Sequence, residues 1–163
     1  MALNRLFGMS TMDALDALQG SMGMVYATID GRRFTMGHIT QFKADMEINK
    51  SEVPILGRTT VGNKPGGITN SFEGTMYYNA PMFRRMLIQY QDTGRLPTFD
   101  VEVYNDDPQA PNAGIQAVVL LGCMINGGTI AQVDATSEFL EEDISGTFDR
   151  ALIPRHFRVH PFM

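Results

Sequence analysis

Residues 50–67 (KSEVPILGRTTVGNKPGG) lie between two stretches that alternate like β-strands, and they carry apolar side chains at no period that would bury them. A connection of 18 residues is far longer than the usual two to about six of a small domain, which marks it as functional or disordered. Val53, Ile55, Leu56 and Val61 argue against simple disorder, because disordered segments are poor in such residues. Apolar groups that find no cover at home are covered by a neighbour. The segment therefore points to assembly before it points to catalysis.

At 163 residues and 44% apolar content the chain suits one domain, since domains run to about 100–200 residues. The expected layout is an N-terminal arm over 1–22, one domain over 23–157 that contains the loop 50–67, and a C-terminal tail over 158–163. Residues 1–22 read as partly helical or irregular, with Leu15 and Leu18 at helical spacing and a Gly20-Ser21 break before the first strand. A net charge of −5 with 13 scattered Lys and Arg disfavours a surface that grips nucleic acid, which needs clustered cations. Cys123 is the single cysteine, so neither an internal disulfide nor a thiolate metal cluster is expected, and its place in an apolar run reads as core. No apolar stretch approaches the ~20 residues that span a bilayer. Asp13 and Asp16 interrupt any signal-peptide core, so the expectation is synthesis in a bacterial cytoplasm and no membrane. Twelve methionines and no tryptophan fit an adaptable apolar interior or interface.

Along the chain, 23–29 (GMVYATI) is rich in β-formers, and Asp30-Gly31 predicts a tight hairpin turn with positive φ at both central positions. The run 33–49 reads as one long strand with a bulge near 37–40, where Ile39 falls out of step with Phe34, Met36, Phe42, Ala44, Met46 and Ile48. Residues 68–78 alternate, with Phe72, Gly74, Met76 and Tyr78 on one face. A single helix follows, with Asn79 as N-cap, Pro81 in the first turn, a stripe of Phe83, Met86, Leu87 and Tyr90, and Gly94 as the stop. Phe99, Val101 and Val103 mark a half-buried strand, and 105–114 a turn-rich loop. The apolar strand 115–126 passes through Gly127-Gly128 into a run from Thr129 to about Phe148, which predicts a second long hairpin. The pattern is mainly β: a β-sandwich or barrel with one flanking α-helix.

No catalytic set emerges. His156 and His160 are spaced for a helical metal pair, but Pro154 and Pro161 bracket them and no carboxylate lies nearby. His38 reads as a surface residue of a hairpin. Glu138, Glu141, Glu142 and Asp143 lack the spacing of a calcium loop and read as a solvated charged face. Gly57, Gly62, Gly66 and Gly67 precede no helix that would make a phosphate loop. The expectation is a protein that is not an enzyme and has no cofactor or metal.

Polarity is instead sorted by phase. Lys43, Asp45, Glu47 and Asn49 share one face of the first long strand, and Gln132, Asp134, Thr136 and Glu138 share one face of the last, opposite Val133, Ala135 and Phe139. Strands of up to about 17 residues exceed the usual five or six. Their open edges would aggregate unless protected or meant to pair between subunits.

With these residues in hand, the chain resembles the contractile-phage tail tube family found in a defective Bacillus phage-like element, in Gram-positive myophages and in contractile bacteriocins. The residues that carry the resemblance are Ile29-Asp30-Gly31, the block 42–58 (FKADMEINKSEVPILGR), the Gly-rich stretch through Gly67, the run 72–77 (FEGTMY), and 133–148 (VDATSEFLEEDISGTF) before RALIPRHF. It covers nearly everything from Gly20 to Phe157, while Met1–Gln19 departs from the family pattern. The resemblance implies six copies to a ring and rings stacked into a hollow tube in a virion tail. Two long hairpins from each subunit would form an inner β-barrel, and the segment 50–67 would reach an adjacent ring. It assigns Val53, Pro54, Ile55, Leu56, Arg58 and Val61 to the inter-ring contact, and Asp45, Glu47, Glu73, Asp134 and Glu138 to the lumen. The implied partners are the chain itself, a tail sheath protein, a tape-measure protein, and baseplate and tail-terminator proteins, with DNA passing through unbound. The competing readings are a type VI secretion tube subunit of the Hcp kind and a monomeric β-sandwich binding module. The latter lacks an aromatic cleft to work with.

Overall fold

The computed structural model describes residues 14–110 and 113–158. Met1–Asp13, the tail from Val159, and with it His160 and Pro161, lie outside the described residues. The chain forms two compact units: one from the described residues up to Gly37, Asp100–Leu120 and Ala151 onward, the other from His38–Phe99 and Leu121–Arg150. Its elements are β1 (Gly23–Ile29), β2 (Arg32–Thr35), β3 (Ile39–Val53), β4 (Gly62–Tyr77), α1 (Met82–Thr93), β5 (Phe99–Asp106), β6 (Ile115–Gly127), β7 (Glu141–Thr147) and β8 (Arg150–Arg155). Among the described residues the fold is mainly β with one α-helix, as expected. Among the described residues no helix is long and apolar enough to cross a membrane.

In the first unit the strand order is β2-β1-β5-β6, with β8 also on β6. β1 and β2 form the hairpin that Asp30-Gly31 predicts: φ is +50° and +75° at these two residues, the left-handed values that a type I′ turn needs. Alternation buries Val25, Ala27 and Ile29, with Met36, Val101, Ala117 and Leu120. On the polar side Arg33 pairs with Glu102 at 2.6 Å and lies over the Tyr26 ring. Among the described residues ahead of β1 the chain makes short 3-10 turns at Ala14–Asp16 and Gly20–Met22. Leu15 and Leu18 are exposed, so the helical spacing there builds no packed helix. The backbone N–H of Gln19 donates to the buried Asp107 carboxylate at 2.9 Å, which also accepts from the Gln109 N–H.

In the second unit the order is β6-β7-β4-β3. Phe72 and Met76 turn inward from β4 as predicted, and Ile125, Ile144 and Phe148 join them among the buried residues. Gly146 lies against the Phe72 ring: a Cβ there would come within 2.6 Å of ring carbons. α1 is tied in by Phe83, whose ring meets Phe99 at 5.7 Å, while Phe99 meets Phe72 at 6.2 Å. Gly94 ends the helix with φ +69° and donates its N–H to Tyr90 O, the left-handed stop that only glycine adopts without strain. The cap differs from expectation: Pro81, not Asn79, occupies the N-cap position. Tyr90 is exposed and Leu87 only half-buried, so Phe83 and Met86 anchor the helix.

Three expectations about strand length are corrected. The run 33–49 is not one strand: β2 pairs with β1, and β3 pairs with β4. The irregularity foreseen near 37–40 is a break at 36–38 plus a register shift between Ile39 and Gln41. Residues 50–67 are not an 18-residue connection, because the ladder continues through Lys50↔Pro65, Ser51↔Lys64, Glu52↔Asn63 and Val53↔Gly62. Only 54–61 is loop. The second hairpin is shorter than expected: β6 pairs antiparallel with β7, but β7 begins only at Glu141, and residues 128–140 form a long connection instead of strand. Alternation assigns faces, but a strand also needs a partner for its backbone, and residues 128–140 have no ladder partner among the described residues.

Candidate functional site

The β3–β4 hairpin is the outstanding surface. Facing residues of an antiparallel ladder share a face. The pairs Lys43↔Glu73, Asp45↔Ser71 and Glu47↔Thr69, continued by Glu73↔Ser145, Thr75↔Asp143 and Tyr77↔Glu141, therefore build one polar face across β3, β4 and β7. Three of the five predicted lumen residues, Asp45, Glu47 and Glu73, meet there. The Lys43 ammonium sits 3.3 Å from Asp45, and the Thr75 hydroxyl donates to Asp143 at 2.9 Å. With Glu141 and Asp143 added, carboxylates dominate the face. In the sequence those two belong to a charged run, and the alternation in EEDISGT is the signal that assigns them to one face. The same alternation turns Glu142 inward, where it is buried, contrary to the solvated face expected for it. Arg84 answers it at 3.5 Å, lies over the Tyr78 ring, and donates to Tyr78 O.

Asp134 and Glu138 do not join this face. Both lie in residues 128–140, which are irregular. Asp134 caps a local turn, accepting from the Thr136 hydroxyl at 2.7 Å and the Thr136 N–H at 2.9 Å. These hydrogen bonds, the hydroxyl first, hold its carboxyl below the ordinary aspartate range, because they favour the charged form. Tyr78 tethers the segment, its hydroxyl accepting from Gln132 N–H and donating to Ile130 O. Ile130, Val133 and Phe139 nevertheless stand exposed, in a run that alternation alone would assign to a strand.

The opposite face of the hairpin is apolar. Phe42 stacks on Phe72 at 5.8 Å where β7 supports the sheet, because β7 pairs with β4 only from Ser71 to Tyr77. Beyond that point two strands run on without a third, and Met46, Ile48 and Ile68 are exposed. The outer edge of β3 borders no other strand among the described residues.

The predicted inter-ring residues gather at the hairpin tip. Arg58 N–H donates to Ile55 O at 3.2 Å, and Gly57 between them has φ +82°, the value a type II turn requires at its third residue. This turn sets Leu56 at the apex, fully exposed, with Val53, Ile55 and Val61 also open to solvent. Pro54 precedes the turn and supplies no backbone donor. Such a knob has no burial partner in its own unit.

Comparison with known proteins agrees with this geometry. Over 143 residues the chain is 32% identical to the Phage-like element PBSX protein XkdM of Bacillus subtilis (strain 168), covering 88% of this chain and 94% of that relative. Similar folds occur in the sheath-tube complex of an extracellular contractile injection system, PVC (TM-score 0.64, 12% identity, 88% of this chain and 98% of that one). They occur also in the tube-terminating cap of the anti-feeding prophage (0.65, 14%, 91% and 97%) and the SPP1 tail tube (0.59, 13%, 90% and 83%). The family described as phage tail tube protein matches residues 10–152, a span that contains the long hairpin, its apolar tip and the acidic face, and the chain belongs to that family.

Proposed function

We propose that copies of this tail tube subunit join six to a ring and that the rings stack into a hollow conduit. The observation that carries this reading is the β3–β4 hairpin, whose apolar face and outer edge have no cover within the unit. Backbone donors along a 15-residue edge strand are a template for a second chain. Pairing around a closed ring satisfies them and removes the edge. Sixfold rings suit the fold: the anti-feeding prophage baseplate, which contains a similar chain, was solved with 6-fold symmetry.

In this arrangement the face of Asp45, Glu47 and Glu73 lines the bore, with Asp134 and Glu138 near its mouth. A net negative lining repels phosphates and lets DNA slide, whereas a basic lining would hold it through counterion release. The tip residues Val53, Pro54, Ile55, Leu56, Arg58 and Val61 contact the next ring. A sheath, a tape-measure protein, a baseplate and a terminator are the outer partners; solved assemblies with this fold include a sheath-tube complex and a terminating cap.

Negative-stain microscopy with light scattering on purified full-length protein tests the reading. Rings or tubes are expected above a critical concentration. A monodisperse monomer of 18.1 kDa at high concentration would overturn it in favour of a solitary binding module.

A further inference from the structure

The outward face of α1 carries a shallow groove of about 470 Å³, walled mainly by apolar atoms of Pro81, Ile88, Gln89 and Thr93, with Arg85 and Asp92 at its rim. Ile88, which lines it, is exposed although it is a large apolar residue. The unit thus presents an uncovered apolar knob, Leu56, and an uncovered apolar hollow.

The two cannot meet within one subunit. Phe83, through Phe99, holds α1 at the level of Phe72, and Arg84 binds it to Tyr78, just past the end of β4, and to Glu142, which faces Met76. From Phe72 to Gly62 at the tip is ten residues of strand, about 33 Å at the rise of an extended chain. Knob and hollow lie toward opposite ends of one stiff ladder.

We infer that the hairpin tip of one copy seats Leu56 in the α1 groove of the next copy along the tube. Charge supports the match. The groove sets Arg85 and Asp92 seven residues apart, about 10 Å along the helix, with Ile88 between them. Along the hairpin Glu52 precedes Leu56 by four residues and Arg58 follows it by two. Glu52 can therefore meet Arg85 and Arg58 can meet Asp92 while the apolar residues meet between them. A contact between unlike surfaces at opposite ends does not close on itself and propagates as a filament, so the groove accounts for stacking where the β3 edge accounts for the ring. The inference rests on the tube reading and adds the receptor for its inter-ring contact.

Full-length protein with Leu56→Cys and Ile88→Cys, assembled into tubes and treated with a short bismaleimide, tests it. The native Cys123 is fully buried and stays silent. Dimers, trimers and a longer ladder are expected from the double variant and none from either single one. Normal tubes without a ladder, or a ladder from Leu56→Cys alone, would overturn the inference and leave the ring reading standing. So would a groove that reacts freely in bare tubes and is shielded only when a sheath protein is added. Independently, Arg58→Asp and Asp92→Arg should each raise the concentration needed for tubes about tenfold, and the two together should restore it. A double variant no better than either single one counts against the contact. Failure of the wild-type chain to oligomerise would instead remove the tube reading, and this inference with it.

Discussion

Ile48 and Ile68 face each other across the β3–β4 ladder, and each leaves more than half of its surface open, 51% and 57%. A cross-strand pair of β-branched residues normally faces a core. Here the ladder has outrun its own β7 support, so this pair is the local signature of a surface completed by another subunit. Replacing both by Ser should leave the isolated subunit within about 0.5 kcal/mol of wild type, as exposed positions do. Assembly should suffer: full burial of an isoleucine stabilises by about 1.5–3 kcal/mol and about half of each is still open, so the concentration needed for tubes should rise about tenfold to a hundredfold, a dependence of about tenfold per 1.4 kcal/mol. Circular dichroism and sedimentation measure the two halves. Unchanged polymerisation would remove the hairpin face from the interface.

Replacing 54–61 with Asn-Gly would close the hairpin directly between Val53 and Gly62, which already pair, with a favoured two-residue turn. The subunit should fold, form rings and fail to stack. Micrographs showing tubes of normal length would contradict the inter-ring role of Leu56 and its neighbours.

Glu47 and Glu73 share the acidic face. Changing both to Lys should leave tubes assembled and make the bore retain DNA in a salt-dependent way, because the attraction grows with each phosphate neutralised. The measurement is DNA ejection, or passage of short oligonucleotides through isolated tubes, at two ionic strengths. Ejection at the wild-type rate would place this face outside the lumen.

A methyl group at Gly146 would meet the Phe72 ring and the Met124 carbonyl. Gly146→Ala should destabilise the second unit by about 1–3 kcal/mol, the usual cost of overpacking, or about 3–10 °C in Tm. A thermal melt of unassembled subunit shows it. An unaltered Tm would mean that the Phe72 ring has room to give.

Asp134 titrates below the ordinary aspartate range, chiefly through the Thr136 hydroxyl. A lowered folded-state pKa means that the turn's stabilisation is complete above the unfolded value and is lost as pH falls through the folded one. Thr136→Val should raise the Asp134 pKa toward its ordinary value and change nothing at neutral pH in its charge. NMR titration of the carboxyl resonance would settle the direction, and a pKa that stays put would deny the hydroxyl its part.

Much was legible from residue order alone. The Asp30-Gly31 turn, the inward phase of Phe72, Gly74 and Met76, the helix with its Gly94 stop and the apolar strand 115–126 all follow from local chemistry, which acts through neighbours within a few residues. The apolar knob at Leu56 was legible for the same reason: no period in its surroundings could bury it. Partner choice was not. Residues 33–49 and 129–139 both alternate, yet the first divides between two ladders and the second finds none, because alternation assigns faces while a ladder depends on which backbone arrives alongside. Residues 50–53 and 62–67 hold strand geometry despite Pro65 and three glycines, since β3 and β4 supply each other's hydrogen bonds. Tertiary packing likewise separated Glu142 from Glu141 and Asp143, giving the buried one Arg84 and leaving the other two on the acidic face. Sequence determined the local turns and the faces; only the folded chain decided which faces met and which were left for another subunit, because that outcome depends on contacts between residues far apart along the backbone.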